Sequence, residues 1–202
     1  MNYKNIVFDM GNVLIDYEPD RVIRQFTQNE VLIRKVSNIL FSSSEWILLD
    51  GGLISEERAM KQILPRFDTE EERCVATESF AHWHEYNMYP KEGMLPLLKE
   101  LKAAGHGLFV LSTASMRLPE CYKTVIPGWE LFDGILFSAE EKCLKPQTII
   151  YEKFFERFSL KPSDCFFIDD LPQNIEGAAE CGMDGYVFAD GDVEKLRQLL
   201  LS

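Results

Sequence analysis

The sequence predicts an α/β protein, a doubly wound parallel sheet that carries an inserted helical cap. Three observations support this fold class. Five short apolar runs, rich in Val, Ile and Phe, lack polar alternation, which is typical of strands buried on both faces. Amphipathic stretches separate the last four runs, as expected for parallel strands joined by crossover helices. A long stretch without such runs follows the first one and predicts the insert.

The predicted strands and the helices of the later part of the chain follow in a regular order. The strands cover residues 5–8, 107–111, 134–137, 165–168 and 185–188. The helix at residues 94–104 ends at Gly105, because glycine readily adopts the conformation that stops a helix. Two helices, at residues 146–158 and 172–181, begin with proline, which suits a first helical position. The last helix, at residues 192–201, has Asp192 as its N-cap.

Residues 16–90 break this order, since they contain no run that predicts a strand. Four helices are predicted there, at residues 19–28, 30–40, 55–64 and 69–86. Ser55 follows the turn at Gly51 and Gly52 and marks a helix start. We therefore expect two domains, a catalytic core of residues 1–15 and 91–202 and a helical cap of residues 16–90.

The composition of the chain argues against some classes of binding partner. The chain has 202 residues, of which 46% are hydrophobic, and a formal net charge of −12. This charge repels nucleic acid and anionic membranes, so neither is expected as a partner. The five cysteines are scattered and odd in number, which argues against a disulfide framework or a zinc site. No apolar run approaches the ~20 residues that span a bilayer, and we expect a cytoplasmic monomer or homodimer.

Polar residues follow the predicted strands at the positions where ligands bind. In open α/β sheets, ligands bind beyond the carboxyl ends of the strands. Parallel strands bring these ends to one edge, so the side chains that follow them are expected to meet in one crevice. They are Asp9 after the first strand, Ser112 and Thr113 after the second, Lys145 before the helix that follows the third, and Asp169 and Asp170 after the fourth.

This set of side chains suits phosphoryl transfer. Three carboxylates with one lysine leave an excess of negative charge that requires a cation, and hard carboxylate oxygens suit Mg²⁺. Mg²⁺ attracts a phosphate group and stabilises the charge of the transition state. Asp9 can then attack phosphorus to form an aspartyl phosphate. Lys145 can neutralise the nucleophile and the transferred group, while Ser112 can hydrogen-bond the phosphoryl oxygens.

Four motifs, VFDMGNVL, VLSTAS, CLKPQ and FFIDDLPQN, make the chain resemble the haloacid dehalogenase-like hydrolases along nearly its whole length. The resemblance implies a Rossmann-like core with a small helical cap inserted after the first motif. It implies Asp9 as the nucleophile and a metal ligand, and Lys145 as the family's lysine. It implies Ser112 as the phosphate-binding hydroxyl, and Thr113 beside it is a second candidate for substrate binding. The implied Mg²⁺ ligands are Asp9, the main-chain oxygen of Gly11, Asp169 and Asp170.

The runs DMGNVLIDYEP and DDLPQNIEGA are similar to those of bacterial glucose-1-phosphate phosphatases, which makes a sugar phosphate the expected substrate. One position departs from most phosphatases of the family. Gly11 stands where they carry a second Asp that acts as general acid and base, a contribution worth roughly 10²–10⁴ in rate. We expect slow turnover, or a preference for good leaving groups such as those of sugar 1-phosphates.

Several of these residues also have a structural interpretation. Asp9 could be a turn or helix-cap residue, although the other motifs argue against it. Thr113 is as well suited to capping the next helix as to binding phosphate. Asp170 could hold a metal-bound water rather than the metal. Asn174 could support the acidic loop or simply face the start of its helix.

Residues of the predicted cap leave further alternatives open. His82 and His84 lie two positions apart on a predicted helix, so they do not share a face and no catalytic role is expected for them. The aromatic side chains of the cap, among them Trp46 and Trp83, belong to its core or form substrate walls. The segment 46–52 is a candidate wall of the pocket. Asp16 could partly replace the missing acid, but a solvated turn residue is the simpler interpretation.

Three other functions compete with a phosphatase acting on a small phosphorylated metabolite. A metal-independent 2-haloacid dehalogenase also uses an Asp nucleophile, but those relatives lack the paired acids seen at Asp169 and Asp170. A phosphoglucomutase requires acid and base help in both directions, which Gly11 does not supply. A weakly active metabolite-binding or regulatory module is the alternative that is not an enzyme.

Overall fold

The computed structural model describes residues 3–201. These residues form seven strands: β1 (Asn5–Phe8), β2 (Ile15–Tyr17), β3 (Met88–Pro90), β4 (Gly107–Ser112), β5 (Gly134–Phe137), β6 (Cys165–Asp169) and β7 (Asp184–Val187). The α-helices are α1 (Asp20–Phe26), α2 (Glu30–Val36), α3 (Ser44–Asp50), α4 (Glu56–Ile63), α5 (Glu70–Tyr86), α6 (Met94–Ala103), α7 (Leu118–Val125), α8 (Ser138–Glu141), α9 (Thr148–Phe158), α10 (Pro172–Glu180) and α11 (Val193–Leu201).

Five strands form one parallel sheet in the order β5-β4-β1-β6-β7. Side chains alternate between its faces, so Ile6 and Phe8 of β1 join one apolar cluster and Val7 joins the other. Both clusters are buried, which explains why the strands read as continuous apolar runs. The predicted fold class, a doubly wound parallel sheet, is confirmed, and all five predicted strands are present within one residue of their expected bounds.

Two short strands contradict the prediction that residues 16–90 contain no strand. β2 and β3 pair antiparallel, with Asp16 opposite Tyr89, and form a two-stranded ribbon where the chain leaves and rejoins the sheet. Each strand has three residues. Three residues show too little of the two-residue alternation for the pattern to be recognised. The two strands therefore pair because the fold brings two distant segments together, and the local sequence pattern does not predict this pairing.

The segment between β2 and β3, residues 18–87, is helical and is called the insert below. Its helices begin where capping residues predict. The Ser55 hydroxyl accepts the backbone N–H of Arg58 at the start of α4, and Thr69 forms a capping box with Glu72 at the start of α5. The prediction missed α3, and the helix expected at residues 30–40 changes to a π-helix over Ser37–Phe41.

One helix of the sheet unit begins later than predicted. Pro146 lies in the turn before α9, whose first helical residue is Thr148. The backbone N–H of Leu144 binds the Gln147 side chain across this turn, which keeps the preceding segment outside the helix. This turn carries Lys145 to the carboxyl edge of the sheet.

An ion pair, a hydrogen bond and a close backbone approach are among the contacts that join the insert to the sheet unit. The Arg117 guanidinium, just before α7, pairs with the Glu56 carboxylate of α4 at 2.5 Å. The Ser138 hydroxyl donates to the carbonyl of Asp50 at 2.5 Å. Gly52 approaches the backbone of Ala139 so closely that a Cβ there would lie 2.2 Å from the carbonyl oxygen. Within residues 3–201, no helix combines the length and the apolar character required to cross a membrane.

Candidate active site

The sheet places the predicted site residues at its carboxyl edge. Asp9 follows β1 directly, Asp169 is the last residue of β6 and Ser112 the last of β4. Since β1 lies between β4 and β6, these ends are neighbours. Phe8 is level with Val110 on one side and with Ile168 on the other. Parallel register therefore brings together residues that are more than 150 positions apart in the chain.

Three carboxylates meet at this edge. One ligand oxygen from each of Asp9, Asp169 and Asp170 lies within 4.8 Å of the others. The Asp169 side chain is fully buried, and that of Asp9 is 11% exposed. Like charges held this close in a buried position repel each other strongly unless cations lie among them.

Lys145 supplies one such cation. Its Nζ atom lies 2.8 Å from Asp9 Oδ1 and 2.6 Å from Asp169 Oδ2. It also donates a hydrogen bond of 3.0 Å to the carbonyl of Leu111. The lysine side chain is 1% exposed, so it is positioned by the surrounding core and bridges two acids rather than reaching from the surface.

Burial and charge act against each other on these groups. Burial raises the pKa of Asp9 to about 6, although the charge of Lys145 lowers it and that of Asp169 raises it. Burial by itself lowers the pKa of Lys145, but the carboxylates of Asp9 and Asp169 reverse this and raise it. Burial also raises the pKa of Asp170. Desolvation thus disfavours the charged acids, and one lysine does not fully compensate it.

Hydrogen bonds orient the acids of the fourth motif. Asp169 Oδ1 accepts the backbone N–H of Leu171 at 2.9 Å and the Asn174 amide at 2.8 Å. Asn174 thus supports the acidic loop, the first of its two interpretations. Asp170 Oδ2 accepts the Asn12 amide at 3.1 Å. With Lys145 on Asp169 Oδ2, both oxygens of Asp169 have a partner, whereas the bond from Asn12 engages one oxygen of Asp170.

The donor set fits a divalent ion. Asp9 Oδ1 is buried and lacks a hydrogen bond of good geometry within the described residues, although Lys145 lies near it. The single charge of Lys145 does not neutralise three clustered carboxylates, and a further cation among them would offset the remaining repulsion. The set consists of hard oxygens, which is the chemistry that Mg²⁺ prefers. Gly11 lies beside Asp9 on the same cavity wall, so its carbonyl oxygen is a candidate fourth ligand.

A cavity of about 160 Å³ opens beside Asp9. Ser112, which is buried, and Thr113, which is exposed, line it together with Gly11 and Asn12. The remaining walls come from the ribbon, from the insert and from the segment after β4, among them Trp46 and Leu118. A group bound at Asp9 can therefore extend into this cavity.

A family model described as haloacid dehalogenase-like hydrolase matches residues 3–182, which is most of the chain. The chain belongs to the haloacid dehalogenase-like hydrolases. This membership confirms the resemblance drawn from the four motifs at the level of the family. A likeness to glucose-1-phosphate phosphatases in particular stays a prediction.

Two relatives of this haloacid dehalogenase-like hydrolase have names that state an activity on a phosphate ester. The sesquiterpene phosphatase astK of Aspergillus oryzae is 27% identical over 202 residues, covering 98% of this chain and 97% of that protein. The flavin mononucleotide hydrolase 1 of Arabidopsis thaliana is 40% identical over 154 residues, covering 73% of this chain. The match spans 58% of the Arabidopsis protein.

Solved structures share the fold. A haloacid dehalogenase family enzyme from Bacteroides thetaiotaomicron, crystallised with magnesium and inorganic phosphate, superposes with a TM-score of 0.71. It is 22% identical, and the match covers 91% of this chain and 93% of that one. At this identity the likeness supports the α/β fold.

The structure also locates the residues whose interpretation was open in the sequence. Asp16 forms an ion pair with Lys91 and is not among the residues that line the cavity at Asp9, which favours a structural role over replacement of the missing acid. His82 pairs with Glu85 at 3.0 Å, outside that cavity as well. Trp46 and Trp83 do line the cavity, as the substrate-wall alternative required.

Two cavity residues, Asp50 and Tyr17, were missed by sequence reasoning as individual site residues. Asp50 lies within the segment 46–52 that was a candidate wall, but its acidic side chain was not singled out. Tyr17 lies in β2, a strand that the pattern did not predict. The only available signal was their position beside the first motif and the Gly51–Gly52 turn.

Proposed function

We propose that this hydrolase is a Mg²⁺-dependent phosphatase that removes phosphate from a small phosphorylated metabolite through an aspartyl phosphate on Asp9. The observation that carries the proposal is the convergence of Asp9, Asp169 and Asp170 around one buried lysine. Phosphatase relatives and a magnesium- and phosphate-bound structural neighbour agree with it. A sugar phosphate is the candidate substrate implied by the sequence resemblance.

Each residue has a defined task in this proposal. Asp9 attacks phosphorus, and the bond to the leaving alcohol breaks; water then cleaves the acyl phosphate and restores Asp9. Lys145 keeps Asp9 oriented and offsets the charge of the transferred group. Ser112 and Thr113 hydrogen-bond the phosphoryl oxygens. Asp9, Asp169, Asp170 and the Gly11 carbonyl would hold Mg²⁺, which supplies charge stabilisation to the transferring group.

The insert would act as a cap domain over this site. Its helices supply Trp46, Asp50 and Trp83 to the cavity wall. Enclosure of the organic part excludes water from the acyl phosphate until the leaving alcohol has departed. On this view the chain divides near the ribbon, close to the boundaries at residues 15 and 91 that the sequence predicts.

The paired acids disfavour the competing dehalogenase function. A metal-independent displacement of halide does not require Asp169 and Asp170 beside the nucleophile, and the charge of Asp169 raises the pKa of Asp9. The absence of a side chain at Gly11 likewise disfavours a phosphoglucomutase, which must protonate and deprotonate sugar oxygens in turn.

The direct test is phosphate release from p-nitrophenyl phosphate, with and without Mg²⁺, by the wild type and by Asp9→Asn. Activity is expected to require both Mg²⁺ and Asp9. Asp164→Asn is the matched control, because this carboxylate pairs with Lys4 at the surface. Full activity in Asp9→Asn, or equal activity after chelation of all divalent ions, would contradict the proposal.

A further inference from the structure

The cavity at Asp9 has an apolar part that the phosphate chemistry leaves unexplained. Its walls beyond the acids include Ile15, Trp46, Trp83, Met88 and Leu118. The rings of Trp46 and Trp83 meet edge to face at 5.2 Å, so this wall is a packed aromatic surface. A phosphate monoester whose organic part enters this cavity from Asp9 places that part against the aromatic wall.

Two polar groups interrupt this apolar wall. Asp50, the last residue of α3, lines the cavity, and its carboxylate accepts the backbone N–H of Ser115. The Tyr17 hydroxyl is buried and lacks a hydrogen bond of good geometry within the described residues. The Asn87 amide, whose Nδ2 atom also lacks such a bond, lies close enough to interact with this hydroxyl and to lower the pKa of Tyr17. Buried polar atoms without partners are rare, and they indicate a place for a ligand group or water.

Neither group is expected to carry charge at neutral pH. Burial raises the pKa of Asp50 to about 8, and the Ser115 N–H lowers it only in part. Burial also raises the pKa of Tyr17, as does the nearby Asp50 carboxyl. A protonated carboxyl and a phenol both donate and accept hydrogen bonds. This pair therefore complements neutral hydroxyl groups.

We propose that Asp50 and Tyr17 recognise hydroxyl groups of the substrate, so that the cavity selects a phosphate monoester with a compact, uncharged, polyhydroxylated organic part. The inference rests on the phosphatase function proposed above and names its substrate class. A sugar ring or polyol meets both requirements, because its carbon faces pack on Trp46 and Trp83 while its hydroxyls reach the pair.

Size and charge favour one class of organic part. The cavity volume of about 160 Å³ is below the roughly 300–1,000 Å³ of pockets for drug-sized ligands, which favours a compact group over a flavin or a sesquiterpene. Within residues 3–201, no lysine or arginine lines this cavity. A second phosphate or a carboxylate placed in this cavity would lose part of its hydration without gaining a counter-charge from the lining residues.

The test compares kcat/KM for three groups of substrates with Mg²⁺ present. The first contains hexose and pentose monophosphates and polyol monophosphates. The second contains the corresponding bisphosphates and phosphorylated sugar acids, and the third contains flavin mononucleotide and farnesyl monophosphate. p-Nitrophenyl phosphate is the reference, because it has no hydroxyl on its organic part. The wild type is expected to favour the first group over both others by at least about tenfold.

Variants of Asp50 and Tyr17 then test whether these two side chains cause the substrate preference. In Tyr17→Phe and Asp50→Ala, the ratio of kcat/KM for the best sugar or polyol phosphate to that for p-nitrophenyl phosphate is expected to fall about tenfold, mainly through KM. Asp50→Asn, which keeps a donor and an acceptor, is expected to restore part of the ratio. Tyr89→Phe is the matched control, since the Tyr89 hydroxyl donates to Glu18 outside the cavity.

The outcomes separate the two proposals. Hydrolysis of p-nitrophenyl phosphate with a preference for the second or third group overturns the selection inference and leaves the phosphatase function standing. An unchanged ratio in both Tyr17→Phe and Asp50→Ala overturns it too. No Mg²⁺-dependent phosphate release from any substrate contradicts the phosphatase function, and the inference fails with it.

Discussion

Lys145 bridges Asp9 and Asp169, with its Nζ atom 2.8 Å from the first carboxylate and 2.6 Å from the second. The three side chains come from three separate segments of the chain, and all are nearly excluded from solvent. This bridge holds the nucleophile candidate and a metal-ligand candidate at a fixed separation. Its removal is therefore expected to affect both folding and reaction.

Lys145→Met tests the bridge. Loss of one partner leaves two buried carboxylates without their cation, and such changes cost about 3–5 kcal/mol. We expect the free energy of unfolding to fall by that order in urea titrations without Mg²⁺, and phosphatase activity to be lost. Lys153→Met is the control, because that lysine pairs with Glu141 in a partly exposed position and its loss should cost below about 1 kcal/mol. Equal stability of the two variants would contradict the interpretation.

Gly11→Asp tests the missing acid. No atom lies within 4 Å of a Cβ built at Gly11, so a side chain fits without displacing neighbours in the described structure. A carboxyl there can protonate the leaving alcohol, help that is worth roughly 10²–10⁴ in rate. The gain in kcat/KM is expected to be largest for esters of high-pKa alcohols, which flattens the dependence of rate on leaving-group pKa. Gly11→Asn adds the same bulk without an acid, and an equal gain in that variant would rule out acid catalysis.

Gly52→Ala tests the contact between the insert and the sheet unit. Gly52 has a φ of +63°, and a Cβ there would lie 2.2 Å from the Ala139 carbonyl oxygen. The methyl group must push the two segments apart, at a cost of about 1–3 kcal/mol beyond the backbone strain. Gly105→Ala is the control, since Gly105 has a φ of +92° but open space around its Cβ position. We expect the urea midpoint to fall more in Gly52→Ala than in Gly105→Ala. Similar decreases in the two variants would show that backbone strain alone causes the loss of stability.

Asp50→Asn tests how a buried acid makes the stability of the protein depend on pH. Burial raises the pKa of Asp50 to about 8, whereas the unfolded chain releases this proton near pH 4. Between these values the folded state binds one more proton than the unfolded state, so the free energy of unfolding decreases as pH rises from about 4 to 8. Asparagine does not titrate. The Tm advantage of Asp50→Asn over the wild type is expected to grow across this range.

The control for that measurement is Asp68→Asn, an aspartate of the same insert whose side chain is 83% exposed. Its Tm difference from the wild type is expected to stay nearly constant with pH. A constant difference for Asp50→Asn as well would mean that Asp50 is not held in its neutral form by the fold.

The sequence by itself determined the parallel sheet and the convergence of the motif residues. Continuous apolar runs encode strands buried on both faces, and parallel strands necessarily place the residues after them at one edge. The sequence alone was therefore sufficient to predict that Asp9, Lys145 and Asp169 lie close together. Capping residues such as Ser55 likewise encode helix starts through local hydrogen bonds.

Only the tertiary structure decided how the insert folds back over this edge. The pairing of β2 with β3 joins segments more than 70 residues apart, and three-residue strands have no pattern of their own. The same folding brings Asp50 and Tyr17 to the cavity, where burial rather than residue type sets their ionisation. Burial depends on which distant segments pack together, and local periodicity in the sequence does not predict that packing.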